Sequence, residues 1–462
     1  MLETTRTALG VSDSAAATSD EAHFAEWRAR ELSRVERAGL AYLDYTGAAL
    51  YPESLVRADA LRLTGALLGN PHSEHAPSQA SSADVEEARR AILSFLRADP
   101  AEYSVVLTSN ATAACRLVAE SFPFTEASRL VLTADNHNSV NGIREYARAR
   151  GAEVVTVPLD YELRLLEPLR SLDPGPRGPS LLALPAQSNF SGVRHPLDLV
   201  AAARARGYRV LLDAASYVPT AELRLDTISP DFVALSVYKI AGYPSGIGAL
   251  VARHEALAAL RRPAFAGGTV RWVSVQHDRH RLLDGAAAFE DGTVPFLAVG
   301  AVGPALALVE GAGRARLARH LKRLTGAFLD GLQQLRHGNG APVVAVHGPR
   351  STSGRGATIA LNVLEPDGHQ VPYWEVEEQA RRCGLAVRGG CFCNPGCAEH
   401  AFDLPERESG QCLDALGDDF TIPRFADCLG HRVIGALRVS FGLGSIQADA
   451  ERALAFFGEH AR

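Results

Sequence analysis

The sequence predicts an α/β fold in which a parallel sheet is covered by helices on both faces, followed by a smaller α+β domain. Short apolar runs alternate with Ala-, Arg- and Glu-rich helical stretches up to about residue 300, as in βαβ folds. The pattern then changes. The 462 residues also exceed the length at which a single core stops growing, roughly 250–300 residues, so two domains are expected.

Six runs are typical of buried strands because they are short and apolar and lie between helical stretches. They cover residues 103–110, 129–134, 152–159, 180–186, 208–214 and 232–237. Residues 84–98 and 197–207 have the composition of helices that cover such a sheet.

Beyond residue 300 the sequence predicts one long helix over 303–335 and a second helix over 373–384. Shorter strands are predicted at 342–348, 357–363 and 436–442. We therefore expect a flexible arm over 1–20, a large domain over 21–300 whose N-terminal segment contributes to the small domain, and a small domain over 301–462. A hinge is expected within residues 295–320.

Charge and composition exclude several classes of function. The net charge of −6 and pI of about 6.2 offer no electrostatic footprint for nucleic acid or an anionic membrane. The N-terminus lacks the features of a secretory signal, and no apolar window of roughly 18 residues is present. We expect a soluble cytoplasmic protein, in which seven cysteines make a poor disulfide framework. Four of them are expected to be packing residues or incidental: Cys115, Cys383, Cys412 and Cys428.

Polar residues follow several of the predicted strands, where open α/β sheets bind ligands. Ala111 and Thr112 open a helix and could hold an anion, Asp213 ends an apolar strand, and Ser236, Tyr238 and Lys239 end another. Each feature alone is more often a cap or a solvated side chain. Together, an anion loop, an acid and a lysine 26 residues after the acid indicate a pyridoxal phosphate site. The lysine would form the Schiff base, and the acid would keep the ring nitrogen protonated.

The chain also resembles a known family. The segments "YLDYTGAALYP", "TSNATAACRLVAE", "DNHNSV", "PAQSNFSGVRHPL", "LDAASYV", "DFVALSVYKIAGYPSGIGAL", "AGGTV", "VRGGCFCNPGC" and "GALRVSFG" resemble, in order, those of class V aminotransferases among the fold-type I pyridoxal phosphate enzymes. Within that group they are most similar to the cysteine desulfurase-like domain of molybdenum cofactor sulfurases. The resemblance implies a mostly parallel sheet of the seven-stranded type.

The resemblance also implies roles for individual residues. Lys239 would carry the cofactor, Asp213 would face its ring nitrogen, and His137 would stack on the ring and assist proton transfer. Contacts to the ring oxygen and the phosphate would come from Asn189, Gln187, Ala111, Thr112, Ser236 and Tyr238. Thr269, in a Gly-Gly-Thr segment, would reach the phosphate of the partner subunit in a homodimer. Two positions depart from ordinary cysteine desulfurases, which have His where this chain has Tyr238 and Gln where it has Ser216.

The cysteine cluster is the feature that selects the reaction. Arg388 offers a guanidinium fork for a substrate carboxylate, and Asn189 would also contact the substrate. Cys393 lies five residues after Arg388, a spacing that resembles that of the arginine and the nucleophilic cysteine in one type of cysteine desulfurase. Cys393 is therefore the predicted nucleophile, and Cys391 is the next candidate. Glycines and Pro395 suggest a flexible surface loop. Three alternatives remain for the cluster: a zinc site with Cys397, unreactive buried thiols, or a Cys391–Cys397 disulfide.

The leading prediction is a homodimeric, pyridoxal phosphate-dependent L-cysteine desulfurase that holds a persulfide on Cys393, releases alanine and uses no metal. The given sequence runs for about 20 residues after "ALRVSFG", so we expect the cofactor-binding domain of multidomain sulfurases to be lacking here. The sulfur acceptor would then be a separate protein or a biosynthetic enzyme. The acidic, loop-like segment 399–428 could be its docking surface or a solvated insertion. The alternatives are a C–S lyase, an aminotransferase or epimerase on another amino acid, and a non-catalytic scaffold.

Overall fold

A computed structural model describes residues 3–173, 175–430 and 433–462, with side chains from residue 17 onward. The N-terminal part of the chain contains α1 (Glu3–Glu31), α2 (Ser33–Arg37), β1 (Ala41–Tyr42), α3 (Glu53–Gly65) and α4 (Ala76–Phe95). The central part contains β2 (Tyr103–Thr108), α5 (Ala111–Ser121), β3 (Arg129–Thr133), α6 (Asn138–Asn141), α7 (Ile143–Arg148), β4 (Glu153–Val157), α8 (Pro168–Ser171), β5 (Leu181–Pro185), α9 (Asp198–Ala205), β6 (Arg209–Asp213), β7 (Phe232–Ser236), α10 (Val237–Ala241), β8 (Gly248–Arg253), α11 (His254–Ala259), β9 (Val270–Ser274), β10 (Arg279–Leu282), α12 (Phe296–Val299) and α13 (Val302–Gly311). The C-terminal part contains α14 (Arg314–Gln334), β11 (Val344–His347), β12 (Thr358–Val363), α15 (Tyr373–Arg382), β13 (Leu385–Ala386), β14 (Arg388–Gly390), α16 (Pro395–Ala401), α17 (Glu406–Leu416), α18 (Ile422–Cys428), β15 (Ala436–Ser440) and α19 (Gln447–Gly458).

A seven-stranded sheet in the order β2-β8-β7-β6-β5-β3-β4 forms the centre of the large domain. All six strands predicted from apolar runs belong to it, which confirms the predicted α/β class. The seventh strand, β8, is antiparallel to both of its neighbours, whereas the other pairs are parallel. The sequence prediction missed β8, whose apolar run directly follows a glycine-rich turn.

The two faces of the sheet are buried in separate apolar clusters. Successive residues of β6 illustrate this, since Leu211 packs in one cluster and Leu212 in the other. Both side chains are fully buried, as expected when side chains alternate between faces and helices cover both. The polar carboxyl ends of the strands are therefore the part of the sheet open to a ligand.

The smaller domain is built on the antiparallel sheet β11-β12-β15-β14. The N-terminal segment joins it, because β1 pairs in parallel with β13 and Ser440 donates its backbone N–H to Leu43. The helix predicted over 303–335 is broken into α13 and α14, which are bent by 64° at their junction. The break occurs at Gly313, whose φ of +88° lies in the left-handed region that a continuing helix cannot use.

The N-terminal arm predicted over residues 1–20 is contradicted at its C-terminal end. Residues 3–31 form α1, and Asp20, which is buried, forms ion pairs with Arg316 and Arg319 of α14. Phe24, in the next turn, is fully buried against the same helix. Residues 1 and 2, and the side chains of 3–16, lie outside the described residues.

Segment 399–428 is helical rather than loop-like. Helices α17 and α18 pack together, with Cys412, Phe425 and Ile422 in a small apolar cluster. Cys412 and Cys428, predicted to be packing residues or incidental, form a disulfide with a Cα–Cα distance of 6.0 Å, and Cys412 also packs in this cluster. The prediction missed the bond. The apolar neighbours of the two cysteines bring the two helices together, which spacing along the sequence could not reveal.

Among the described residues, no single helix has the length and apolar composition needed to cross a membrane. Residues Phe296–Gly311 and Arg314–Gln334 meet that criterion only when taken together as a bent pair.

Candidate active site

A cavity of about 160 Å³ lies at the carboxyl ends of β2, β5, β6 and β7. Nine of the ten predicted cofactor-binding residues line it: Ala111, Thr112, His137, Gln187, Asn189, Asp213, Ser236, Tyr238 and Lys239. The tenth, Thr269, lies elsewhere. Parallel strands end at the same edge of a sheet, which brings together residues up to 128 positions apart, from Ala111 to Lys239.

Lys239 lines this cavity on the short helix α10, which begins directly after β7. Burial lowers the pKa of its amine, the nearby Asp213 carboxylate opposes that shift, and Arg438 and Arg388 add to it. A lowered pKa leaves more of the amine unprotonated near neutral pH, which is the form that attacks an aldehyde.

Asp213 is the acid that faces Lys239. It ends β6, is 8% exposed, and accepts a hydrogen bond from the backbone N–H of Ala215 at 3.0 Å through Oδ1. A carboxylate in this position provides the opposite charge that a protonated pyridine nitrogen needs.

His137 caps α6 and lines the same cavity. Its Nδ1 accepts a hydrogen bond from the backbone N–H of Ser139 at 3.1 Å, and this contact fixes the plane of the ring. Burial lowers the pKa of His137, although Asp213 acts in the opposite direction. A neutral, flat ring can lie against an aromatic cofactor and exchange a proton.

The N-terminus of the 11-residue helix α5 forms the end of the cavity suited to an anion. Ser236 Oγ accepts a hydrogen bond from the Ala111 N–H at 2.8 Å, and the hydroxyls of Thr112 and Ser139 lie 2.7 Å apart. Three hydroxyls and a helix N-terminus together match a phosphate group. Tyr238 completes this part of the lining, and burial raises the pKa of its hydroxyl.

Gln187 and Asn189 form the wall that follows β5. Gln187 donates from Nε2 to the backbone carbonyl of Ser216 at 2.9 Å. Asn189 donates to the carbonyl of Phe392 at 2.7 Å and accepts from Asn394 Nδ2 at 2.9 Å. Asn189 therefore does more than line the cofactor cavity, because it also fastens the cysteine loop, residues 391–397, to the cavity wall.

The cysteine loop is held in place rather than free. Phe392 and Cys393 both have positive φ values, 56° and 55°, and the Cys393 carbonyl accepts a hydrogen bond from the Asn138 N–H at 2.8 Å. Asn138 directly follows His137, so this contact sets Cys393 beside the cavity. The Cys393 side chain is exposed. The predicted flexible loop is thus anchored through its backbone while its thiol remains accessible.

The other two thiols of the loop have different surroundings. Cys391 is partly buried, and burial raises its pKa to about 11, with a smaller contribution from Cys393. Cys397 is buried with its sulfur 3.6 Å from Ser188 Oγ, and burial raises its pKa well above the ordinary value. Both are free thiols, so a Cys391–Cys397 disulfide is absent. Within the described ranges, no three His, Cys, Asp or Glu side chains are grouped as a metal site.

Two arginines near the cavity share the carboxylate of Asp44. Arg388 Nη2 lies 2.6 Å from Asp44 Oδ2, and Arg438 Nη2 lies 2.9 Å from Oδ1. The sequence prediction named Arg388 and missed Arg438. Arg438 is only 3% exposed, packs over the ring of Phe392 and donates to the Asn189 carbonyl at 3.0 Å. An arginine inside the apolar strand "ALRVSFG" was the signal available for it.

Thr269 lies at the base of the β9–β10 hairpin, outside the cavity. Its hydroxyl donates to the Ala266 carbonyl at 2.7 Å and accepts from the Ala266 N–H at 2.9 Å. Its contact with a partner subunit therefore remains a prediction.

The cavity fits pyridoxal phosphate by the chemistry of its lining. A half-buried lysine, a carboxylate, a flat imidazole and a helix N-terminus line one cavity, and each matches a different part of that molecule. Lys239 would hold the aldehyde carbon, Asp213 the ring nitrogen and the α5 N-terminus the phosphate.

Comparison with known proteins gives three findings. The family model for aminotransferase class-V proteins matches residues 41–452. Molybdenum cofactor sulfurases of Arabidopsis thaliana and Bos taurus are 34% and 35% identical to the chain over 93% of its length. The aligned region covers 57% and 51% of those two proteins, so the chain spans about half of their length.

A solved cysteine desulfurase from Thermococcus onnurineus is similar in fold, with a TM-score of 0.77 and 24% identity, over 94% of this chain and 97% of that one. This similarity confirms the predicted fold. The match to the family model covers most of the chain, from β1 to α19. The chain belongs to the aminotransferase class-V family.

Proposed function

We propose that the protein is a pyridoxal phosphate-dependent L-cysteine desulfurase that stores sulfur as a persulfide on Cys393. The single observation that carries the proposal is the anchoring of the cysteine loop. Asn189, which lines the cofactor cavity, donates to Phe392, and the backbone of Cys393 is bonded to the residue after His137. An accessible thiol is thereby kept beside the cavity that holds Lys239.

Lys239, His137 and Cys393 have separate roles in the proposed reaction. When bound, pyridoxal phosphate supplies an electron sink for the carbon atoms of the amino acid. Lys239, whose pKa is lowered by burial, binds the cofactor and moves protons at the reacting carbon. His137, held by Ser139, stays neutral and exchanges a proton beside it. Cys393 takes the sulfur atom from the substrate, and the carbon product is alanine.

The substrate carboxylate is proposed to bind at the two arginines that share Asp44. One carboxylate between two guanidinium groups leaves a net positive charge of one, which a second carboxylate would neutralise. Arg438 Nε is buried and has no hydrogen-bond partner among the described residues, which supports this position. Arg438 is thus added to Arg388, the residue expected from the sequence.

The proposed function also includes the assembly of two chains and an acceptor for the sulfur held on Cys393. We propose a cytoplasmic homodimer in which Thr269 approaches the cofactor phosphate of the partner, and a separate protein that accepts the sulfur from Cys393. The names of the relatives favour sulfur transfer to a molybdenum cofactor. The chain spans only about half of those relatives, so the acceptor is inferred by chemistry alone, as a thiol or a metal-bound group able to take sulfane sulfur.

The test is to give the holoenzyme L-cysteine with a reducing thiol and to identify the carbon product. Wild type is expected to release alanine and sulfide in equal amounts. Cys393→Ala is expected to lose both at least 100-fold, whereas Cys391→Ala, the matched control in the same loop, retains most of the activity. Lys239→Ala is expected to abolish turnover because no other lysine lines the cavity.

Two results would overturn the proposal. Pyruvate and ammonia in place of alanine, unaffected by Cys393→Ala, would identify an elimination lyase. A wild-type protein that shows no absorbance from bound pyridoxal phosphate after incubation with the cofactor would identify a scaffold.

A further inference from the structure

A second cavity, of about 430 Å³, adjoins the wall of the active site. It is formed between α14, the loop before β12, and the segment that carries Arg194 and Thr220. Nothing in the proposed desulfurase reaction uses it. We refer to it as the rear cavity.

The lining of the rear cavity is strongly cationic. Four of its residues carry a positive charge and none carries a carboxylate: Arg194, Arg319, Lys322 and Arg355. Arg319 is partly neutralised by Asp20 at 3.2 Å. Lys322 forms no ion pair with any residue the structure describes. The rear cavity therefore keeps an excess of positive charge that an anion would neutralise.

Arg355 is the least exposed of these four cations, and a second arginine lies near it. Arg355 is 6% exposed, and its guanidinium donates to backbone carbonyls, including that of Ser191 at 2.9 Å. Burial lowers its pKa to about 10, and the neighbouring cation Arg164 contributes to the shift. A bound anion would place a counter-charge beside Arg355, which has no ion pair among the described residues.

A buried hydroxyl provides independent evidence for a ligand. Thr325 lines the rear cavity and is 2% exposed, and its Oγ1 has no hydrogen-bond partner among the described residues. Buried polar atoms are almost always paired, so an unpaired one beside a cavity indicates a missing partner. Thr220 and Thr352 add two more hydroxyls to the same lining.

We propose that the rear cavity binds a small organic phosphate. Arginine forks, an amine and threonine hydroxyls suit the several acceptor oxygens of a phosphate group. The volume lies in the usual range for small-molecule sites, roughly 300–1,000 Å³, and exceeds what inorganic phosphate needs. The apolar part of the ligand would pack on Ala318, Leu321 and Ala357.

The rear cavity is joined to the active site by one hydrogen bond. Arg194 Nε donates to Gln187 Oε1 at 2.8 Å, and Gln187 lines the cofactor cavity. Gly356 packs on this pair so closely that a Cβ atom there would lie 2.1 Å from Gln187 Oε1. An anion on Arg194 therefore acts on a side chain of the cofactor wall. This binding site goes beyond the proposed function and does not depend on it.

The sequence supplies a direct readout, because the chain contains only two lysines, Lys239 and Lys322. The holoenzyme, with Lys239 occupied by its cofactor, is treated with an amine-acylating reagent, and Lys322 acylation is measured by mass spectrometry. Phenyl phosphate is expected to slow acylation of Lys322 at least fivefold, with the N-terminal amine as the internal reference. Benzoate and inorganic phosphate at the same concentration are expected to protect much less.

Calorimetry of phenyl phosphate binding to the holoenzyme completes the test. Thr325→Val and Lys322→Gln are each expected to weaken binding about tenfold. Arg336→Ala, which removes an exposed cation just beyond the end of α14 and outside the rear cavity, is the control and should leave binding unchanged. Equal protection by benzoate or by inorganic phosphate would overturn the ligand class. Unchanged affinity in both cavity variants would overturn the site, whether or not the protein desulfurates cysteine.

Discussion

At the residue scale, Asp44 organises the charge of two arginines near the active site. Its carboxylate accepts hydrogen bonds from Arg388 and from Arg438, so two guanidinium groups share one counter-charge. The Coulombic influence of both arginines reaches Lys239 and lowers its pKa. A buried arginine that is held by a carboxylate can recognise a second carboxylate without first losing its water.

The two candidate thiols, the exposed Cys393 and the partly buried Cys391, differ in reactivity, and alkylation tests this difference. Cys391 has a pKa of about 11, so at pH 8 only about one molecule in a thousand carries its thiolate. Iodoacetamide at pH 8 is expected to modify the exposed Cys393 and leave Cys391 unmodified. Because the pKa of Cys391 is raised, its labelling should increase steeply as the pH rises toward 11. Peptide mass spectrometry measures both sites.

The buried Cys115 and Cys397 serve as internal controls for this labelling, because burial raises the pKa of each thiol. Preferential modification of Cys391 at pH 8 would contradict the assignment of Cys393 as the nucleophile.

At the scale of elements, α16 fixes the position of the cysteine loop. Its N-cap Asn394 donates to the Asp135 carbonyl at 2.7 Å, and Gly396 approaches the Ala134 carbonyl. A Cβ atom at Gly396 would lie 2.0 Å from that oxygen, so the helix could not stay where it is. A glycine is required here by close approach of two backbones rather than by an unusual φ.

Gly396→Ala is therefore expected to displace the loop that carries Cys393. Overpacking of this kind costs about 1–3 kcal/mol of stability. A displacement of about 1 Å can reduce a rate about 100-fold, so we expect alanine production to fall at least tenfold. The measurement is the rate of alanine release at saturating cysteine, together with circular dichroism to establish that the protein is folded.

Gly410→Ala is the matched control. Gly410 lies inside α17, and a Cβ atom there would meet nothing within 4 Å. This substitution should leave the rate unchanged and stabilise the helix by about 0.5–1 kcal/mol. Equal rates for the two variants would show that the position of α16 does not control the reaction.

The disulfide between α17 and α18 is expected to stabilise this pair of helices. The two cysteines lie 16 residues apart in sequence, and a loop of this size corresponds to about 3 kcal/mol. Cys412→Ser should increase the rate of amide hydrogen exchange in residues 406–428 by the factor that corresponds to this loss of free energy. The exchange rate of β6 should stay unchanged. Cys383→Ser, which removes an exposed free thiol, is the control. Unchanged exchange in 406–428 would mean that apolar packing alone holds the pair.

At the scale of the whole molecule, the β9–β10 hairpin presents apolar side chains to solvent. Trp272 and Val273 are about half exposed, at 47% and 48%, and Val275 is 93% exposed. Exposed apolar groups clustered on one hairpin favour contact with another chain. The hairpin follows Thr269, the residue expected to reach the partner's cofactor.

Trp272→Asp combined with Val275→Asp should therefore convert the proposed homodimer to a monomer. Light scattering measures the mass, and the absorbance of bound cofactor measures retention of pyridoxal phosphate, which should weaken at least tenfold. Tyr161→Asp, at another exposed aromatic residue, is the control. A variant that remains dimeric would place the interface elsewhere.

Much of this molecule could be predicted from short-range patterns. Apolar runs identified six of the seven strands of the large sheet, and the polar carboxyl ends of those strands identified six residues that line one cavity. The family resemblance added His137, Gln187 and Asn189. These predictions succeeded because a buried strand needs continuous apolar side chains and because parallel strands end at the same edge. The break at Gly313 escaped prediction, since helical composition continues on both sides of it.

Local composition and an ordered set of motifs were enough to predict the fold class, the cofactor and the cysteine cluster, because each of these is encoded over short stretches of the chain. How those parts meet depends on tertiary packing. The sharing of Asp44 by Arg388 and Arg438 joins residues 344 and 394 positions away, and the disulfide depends on the packing of two helices. The rear cavity likewise joins Arg194 to α14. Such contacts depend on how elements pack, and packing leaves no periodic signal in the chain.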